Sequence, residues 1–256
     1  MTAEPAKSQI TIMTWVASAI ALYHLVAIAQ LPTWFGIFIP AQSHKAISII
    51  SALLLIFWRL PAIGSKHGTG TKAEAYRRRV PWYDVLFFLS GAIGVGYVIF
   101  NHEAVLDYDF YGSLDTKGIV LALMIAIPLL EAIRRSTGIA LPIIILTFVG
   151  ICIFQKYLPG LLYGRGYPID RLLFSVYVGE SGIFGLPIGI ASNIIIVFLI
   201  FGALMSAAGA SRWFMDLAMA LTGWSRGGPA KAAVVASAMF GSISGSPSGN
   251  SATTGV

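Results

Sequence analysis

Long apolar runs alternate with short polar connections along most of this chain. Six runs have the length and composition expected of helices that cross a bilayer, and the second is expected to begin slightly before residue 46. They cover residues 10–31, 46–60, 83–100, 118–133, 138–157 and 186–209. Nothing alternates with the two-residue period of a strand. The pattern therefore predicts an all-α polytopic membrane protein with about six transmembrane helices.

Two shorter segments have a different pattern. Residues 171–177 predict a short interfacial helix between the fifth and sixth spans. Residues 211–221 place Arg212 and Asp216 beside Trp213 and Phe214, which is typical of an amphipathic helix lying in the membrane interface. We expect both segments to lie along the bilayer surface.

Composition supports a membrane location. Of the 256 residues, 57% are apolar and 11% are charged, whereas soluble domains have about 25% charged residues. The net charge of +6 does not indicate nucleic-acid binding, because the basic residues lie in short loops between apolar runs. The single cysteine, Cys152, excludes an intrachain disulfide and a cysteine-based metal site.

The distribution of basic residues predicts the orientation. With the N-terminus inside, 12 of the 17 Lys and Arg residues lie on the cytoplasmic side, many of them between Arg59 and Arg79. The opposite orientation would violate the positive-inside rule. We expect a cytoplasmic N-terminus, and after six spans the final stretch enters the membrane from the cytoplasm.

The final stretch is the strongest candidate for a binding site. An apolar helical run, residues 232–240, is followed by Gly, Ser, Thr, Asn and one Pro. Gly costs a helix about 1 kcal/mol and Pro about 3 kcal/mol. Backbone that breaks inside a membrane is tolerated where it lines a cavity, and its free groups there bind ions and substrates. The stretch predicts the first arm of a re-entrant hairpin with a binding site at its tip; a solvated Gly/Ser linker is the alternative.

An intramembrane serine protease is the enzyme alternative. Ser244 and Ser248 each precede a glycine, but all four histidines are distant in sequence and none follows these serines. No glycine-rich phosphate loop ending in Lys-Ser or Lys-Thr is present either. We therefore expect a protein that is not an enzyme.

Several motifs resemble the permeases of tripartite ATP-independent periplasmic (TRAP) transporters. The run GGPAKAAVVASAMFGSISGS at 227–246, with Asn250 and TTGV at 253–256, is similar to the first hairpin of the family's large membrane subunit. Upstream motifs resemble fused permeases of the TAXI subfamily. These are LYG at 162–164, Tyr177, GIFGLP at 182–187 and FGA at 201–203.

The resemblance implies a domain plan. Residues 1–136 would be a four-helix domain like the small subunit, 137–160 a linking transmembrane helix, and 161–256 the start of the large-subunit transport domain. The protein would lie in a bacterial or archaeal cytoplasmic membrane.

The resemblance also implies secondary transport driven by Na⁺, with no other cofactor. A periplasmic binding protein of TAXI type would deliver an organic acid, such as a dicarboxylate or glutamate. The candidate substrate and ion contacts, carried over by position, are Ser242, Ser244, Gly245, Ser246 and Asn250. Among them Ser244, Gly245 and Asn250 are the candidate Na⁺ ligands, because Na⁺ prefers hydroxyl, amide and carbonyl oxygens.

Two features depart from the family pattern. Residues 247–249 read Pro-Ser-Gly where the family has small apolar residues. The chain also stops at Val256, before the second hairpin of the family. We expect these 256 residues not to transport alone. A truncated membrane scaffold that does not transport is the second hypothesis.

Overall fold

The computed structural model describes residues 7–60, 81–160 and 163–244. Within these ranges the chain forms helices and turns, and no strand is present. The helices are α1 Lys7–Ile28, α2 Ala41–Arg59, α3 Trp82–Phe100, α4 His102–Tyr111, α5 Thr116–Thr137, α6 Ala140–Phe154, α7 Ile169–Tyr177, α8 Leu186–Ile190, α9 Ile196–Ala207, α10 Ala210–Thr222 and α11 Gly228–Ser244. The predicted all-α polytopic fold is confirmed.

Five of the described helical segments are long and apolar enough to cross a membrane. They are Ala41–Arg59, Trp82–Phe100, Thr116–Thr137, Ala140–Tyr157 and Leu186–Ala207. The first predicted span corresponds to α1, in which a shorter apolar stretch covers Ile12–Ile28. Helices α7 and α10 also form where the two shorter helices were predicted.

The structure departs from the predicted elements in the acidic connection and in the sixth span. The acidic connection before the fourth span contains α4, which the sequence pattern did not predict. The sixth span is not regular throughout, because a π-helical turn, Ala191–Ile195, separates α8 from α9.

The described chain divides into two compact units. The first takes in Met1–Leu22 and Gln30–Gly189, and the second takes in Tyr23–Ala29 and Ile190–Val256, so far as these ranges are described. In the first unit α2, α3 and α5 pack against one another and α7 packs against α5.

Two glycines on α3 allow this close packing. A Cβ atom at Gly94 would lie 3.0 Å from the Leu121 carbonyl oxygen on α5. A Cβ atom at Gly91 would lie 2.8 Å from Cδ1 of Leu53 on α2. Gly96 faces open space instead, with nothing within 4 Å of its Cβ position. Gly91 and Gly94 therefore serve helix contact, while Gly96 does not.

A buried ion pair joins α3 to α5. Nη2 of Arg135 lies 2.7 Å from Oδ1 of Asp84, and both side chains are fully buried. The Arg135 guanidinium also lies 2.7 Å from a Glu131 oxygen, donates to the Leu60 carbonyl oxygen and covers the ring of Phe57. The end of α2, the start of α3 and the end of α5 therefore meet at one end of the helix bundle. Glu131 pairs with both arginines that follow it on α5, and Asp84, distant in sequence, is the buried partner of Arg135.

The start of α5 is capped by the acidic connection. Oδ1 of Asp115 accepts hydrogen bonds from the Gly118 amide at 2.7 Å and from the Tyr108 hydroxyl at 2.8 Å. These two donors, the amide first, lower the pKa of the Asp115 carboxyl. Burial and the same hydrogen bond raise the pKa of the Tyr108 hydroxyl. The acidic connection is thus tied to the bundle as a helix cap.

Candidate functional site

Helix α11, the predicted hairpin arm, packs in the second unit against α10 and α9. Its contact with α10 uses small residues, because Ala218, Ala232 and Ala236 are all fully buried. The rings of Phe214 on α10 and Phe240 on α11 meet edge to face, with centroids 6.3 Å apart. The two helices therefore form an antiparallel pair that fixes the direction of α11.

The turn between α10 and α11 explains the Gly-Gly-Pro part of the family-like motif. Gly227 has a φ of +75°, which favours glycine. A Cβ atom at Gly228 would lie 2.5 Å from the Gly223 carbonyl oxygen, so this position has no room for a side chain. Pro229 lies in the first turn of α11, where its missing amide hydrogen costs no helical hydrogen bond. These three residues therefore shape the turn that leads into α11.

Helix α11 is one turn longer than predicted. The expected break after Phe240 is wrong, because the helix continues through Gly241 to Ser244. The Ser242 hydroxyl donates to the Met239 carbonyl oxygen at 2.7 Å, a local bond that hydroxyl side chains form readily in helices. Helix formation up to Ser244 therefore overrides the unfavourable intrinsic propensities of Gly and Ser.

The candidate contacts fall at the end of this helix and beyond it. Ser242 is exposed in the last turn, and Ser244 is the last helical residue. Gly245, Ser246 and Asn250 lie outside the described residues. Ser242 and Ser244 are thus in one helical turn, and the assignment of all five residues to a binding site stays a prediction.

A second polar feature of this unit was not predicted. Ser192 and Asn193 lie in the π-helical turn of the otherwise apolar span Leu186–Ala207, and Ser192 is almost fully buried. The Asn193 amide donates to the Ser192 hydroxyl at 3.3 Å. Single π-helical turns occur frequently at functional sites. The adjacent Ser and Asn in an apolar run are the sequence signal that could have identified this feature.

In the first unit, the chain after α7 is anchored to the helix bundle. The buried Tyr177 hydroxyl donates to the Gly94 carbonyl oxygen at 2.6 Å, and burial raises the pKa of this hydroxyl. Nζ of Lys45 donates to the Phe184 carbonyl oxygen at 2.9 Å. A Cβ atom at Gly182 would lie 2.5 Å from the Ser175 carbonyl oxygen, so glycine is required there. The family-like residues of this segment thus hold a tight turn against the bundle.

Comparison with known proteins gives one family. The model for the DctM component of the tripartite ATP-independent periplasmic transporter matches residues 122–256. This range includes α6 to α11 and the Gly/Ser-rich stretch after them. No curated protein matches the chain, and no solved structure matches it.

Proposed function

The chain belongs to the DctM family of tripartite ATP-independent periplasmic transporters, and from this premise we propose that it is the permease of a Na⁺-driven organic-acid transporter. Membership of this family makes the protein a multi-pass membrane component of a TRAP-type secondary transporter, and such components work with a periplasmic substrate-binding protein. The proposal adds the coupling ion, the TAXI subfamily and a carboxylate substrate. It also adds a cytoplasmic N-terminus in the inner membrane.

The observation that carries the proposal is the end of α11. Ala232 and Ala236 of this helix pack against α10 and are buried. The last turn of the helix contains serines and no charged residue. The next residues, up to Asn250, add glycines, serines and an amide. A neutral set of hydroxyl, amide and carbonyl oxygens suits Na⁺, and it can release both the ion and an anionic substrate.

The proposed site consists of Ser242, Ser244, Gly245, Ser246 and Asn250, with Ser244, Gly245 and Asn250 as Na⁺ ligands. A carboxylate of the substrate would accept hydrogen bonds from backbone amides beyond the break, as helix ends in transporters commonly allow.

The domain plan forms part of the proposal. Residues 1–136 act as the domain like the small subunit, 137–160 as the linking helix and 161–256 as the start of the transport domain. One observation supports it: α2, α3 and α5 pack as one bundle in the first unit. The family match begins at residue 122, within α5, and so extends across both proposed boundaries.

Uptake in proteoliposomes tests the proposal. The permease, expressed from its full reading frame, is reconstituted with its binding protein, and uptake of labelled dicarboxylates and glutamate is measured against the Na⁺ concentration. Asn250→Ala removes one proposed ligand, and a hydrogen-bonding group that contacts a charge contributes about 1.5–3 kcal/mol. We expect the Na⁺ concentration for half-maximal uptake to rise by about tenfold or more.

Asn101→Ala is the matched control, because this exposed asparagine ends α3 and its side chain bonds only weakly to the Tyr97 carbonyl oxygen at 3.4 Å. It should leave Na⁺ activation unchanged. Equal Na⁺ activation in wild type and Asn250→Ala would remove Asn250 from the site. Uptake driven by a proton gradient without Na⁺ would overturn the coupling ion.

A further inference from the structure

An open pocket of about 680 Å³ lies in the first unit, where the end of α6, the connection after it and the start of α7 meet. The connection folds back on the last turn of α6. The Tyr167 amide donates to the Cys152 carbonyl oxygen at 3.0 Å, and the Gly164 amide donates to the Gln155 carbonyl oxygen at 3.3 Å. Gly166, with a φ of +70°, permits the bend. The backbone therefore holds the pocket in shape.

The polar lining of this pocket is cationic. Arg165 from the connection and Arg171 from α7 both line it, and no carboxylate does. Among the described residues neither guanidinium has an ion-pair partner. Ser175, one turn after Arg171 on α7, and Gln155, directly after α6, add hydrogen-bonding groups. A guanidinium matches a phosphate group in a two-pronged, charge-assisted geometry, so the set favours a phosphate anion.

The surroundings of the pocket indicate its depth in the membrane. It adjoins the end of the span Ala140–Tyr157, and Pro142 is the one buried residue of α6. The rest of that helix presents mostly aliphatic side chains at its surface. Phe154, Tyr157 and Tyr163, which neighbour lining residues in sequence, are exposed, and aromatic residues are enriched where a helix meets the headgroup layer. A cationic pocket thus lies at headgroup depth beside an apolar helix surface.

We propose that this pocket binds the phosphate headgroup of an anionic glycerophospholipid. The phosphate lies between Arg165 and Arg171, and the acyl chains follow the apolar surface of α6 into the bilayer. A free phosphate or carboxylate would satisfy the arginines but would leave the adjoining apolar surface unused. The lipid would link α6 to α7 and so brace the junction between the predicted linking helix and the segment that follows it.

Native mass spectrometry of the purified protein tests this proposal. The protein in detergent is titrated with phosphatidylglycerol, with phosphatidylcholine of the same acyl chains, and with inorganic phosphate. Each basic residue near an anionic lipid contributes on the order of a fivefold change in affinity. We expect Arg165→Gln or Arg171→Gln to weaken phosphatidylglycerol binding by about fivefold, and the double variant by about 30-fold. Phosphatidylcholine binding should hardly change.

Lys117→Gln is the matched control, because this exposed cation at the start of α5 does not line the pocket. A second variant, Ser175→Trp, fills the pocket without changing its charge and should also lower phosphatidylglycerol binding. Equal binding of the two lipids by wild type would refute the proposal, as would the same loss in Lys117→Gln as in the double variant. Inorganic phosphate that competes as strongly as the lipid would show a free-anion site instead.

Discussion

The buried pair Arg135–Asp84 gives the sharpest test of how the first unit is held together. Both side chains have no exposure to solvent, and Nη2 of Arg135 lies 2.7 Å from Oδ1 of Asp84. Removing one partner of a buried ion pair costs about 3–5 kcal/mol, because the other charge is left without compensation. The replacement Arg135→Met keeps most of the volume and removes the charge.

The replacement of either partner disrupts the pair. Arg135→Met removes the guanidinium from the buried Asp84 carboxylate, so a cost of about 3–5 kcal/mol is expected. Asp84→Asn should also destabilise the bundle, while Arg135 keeps Glu131 at 2.7 Å and the Leu60 carbonyl oxygen at 3.2 Å. For a chain of this size about 1 kcal/mol lowers the melting temperature by about 2–4 °C. Arg135→Met should therefore melt roughly 6–20 °C below wild type.

Thermal unfolding in detergent, followed by intrinsic fluorescence, measures these shifts. Arg134→Met is the matched control: Arg134 also pairs with Glu131, but its side chain is 34% exposed, and exposed pairs contribute about 0–1 kcal/mol. The double variant Asp84→Leu with Arg135→Met should recover much of the loss, because no buried charge remains. If Arg135→Met melts at the same temperature as Arg134→Met, the buried pair does not stabilise the bundle and the reasoning fails.

Two further predictions concern the same unit and use the same unfolding assay. Gly94→Ala should destabilise the protein by about 1–3 kcal/mol, because its Cβ would lie 3.0 Å from the Leu121 carbonyl oxygen, whereas Gly96→Ala, with open space around it, should be neutral or stabilising. Asp115→Ala should cost about 0.5–2 kcal/mol through loss of the helix cap. The pKa of the Asp115 carboxyl is lower in the folded protein than in the unfolded chain. The stabilisation by the ionised carboxylate should therefore be complete above about pH 4 and should be lost as the pH falls through the lowered, folded-state pKa. Asp115→Asn should remove this pH dependence.

Much of the fold could be predicted because membrane spans have a strong, local signal. Apolar runs of sufficient length gave all five described spans within a few residues. Helix α4 was not predicted because the segment is rich in acidic residues, namely Glu103, Asp107 and Asp109. Its helical periodicity is carried only by Val105 and Tyr108, which are three residues apart and both buried. High polarity predicts a loop for such an acidic segment, unless the spacing of its few apolar residues is compared with the helical period.

Contacts between distant parts of the chain could not be predicted. Asp84 and Arg135 lie 51 residues apart, and nothing in the local pattern connects them. The bond from Lys45 to the Phe184 carbonyl oxygen spans 139 residues and depends on a tight turn whose path follows only from the folded chain. At the candidate site, the apolar run predicted a helix, but the last turn of α11 and its packing against α10 were not predicted. In that last turn the Ser242 hydroxyl donates to the Met239 carbonyl oxygen of its own helix.

The residues that resemble the family divide into two physical classes. Gly182, Gly227 and Gly228 are required by backbone geometry, since each has either a left-handed conformation or no space for a Cβ atom. They determine how the chain turns and therefore which helices meet. The hydroxyl and amide residues from Ser242 to Asn250 form the second class, which is defined by side-chain oxygens, and those after Ser244 lie outside the described residues. A resemblance that depends mostly on the first class therefore constrains architecture closely and substrate identity weakly, and the chemistry of transport has to be tested on the second class.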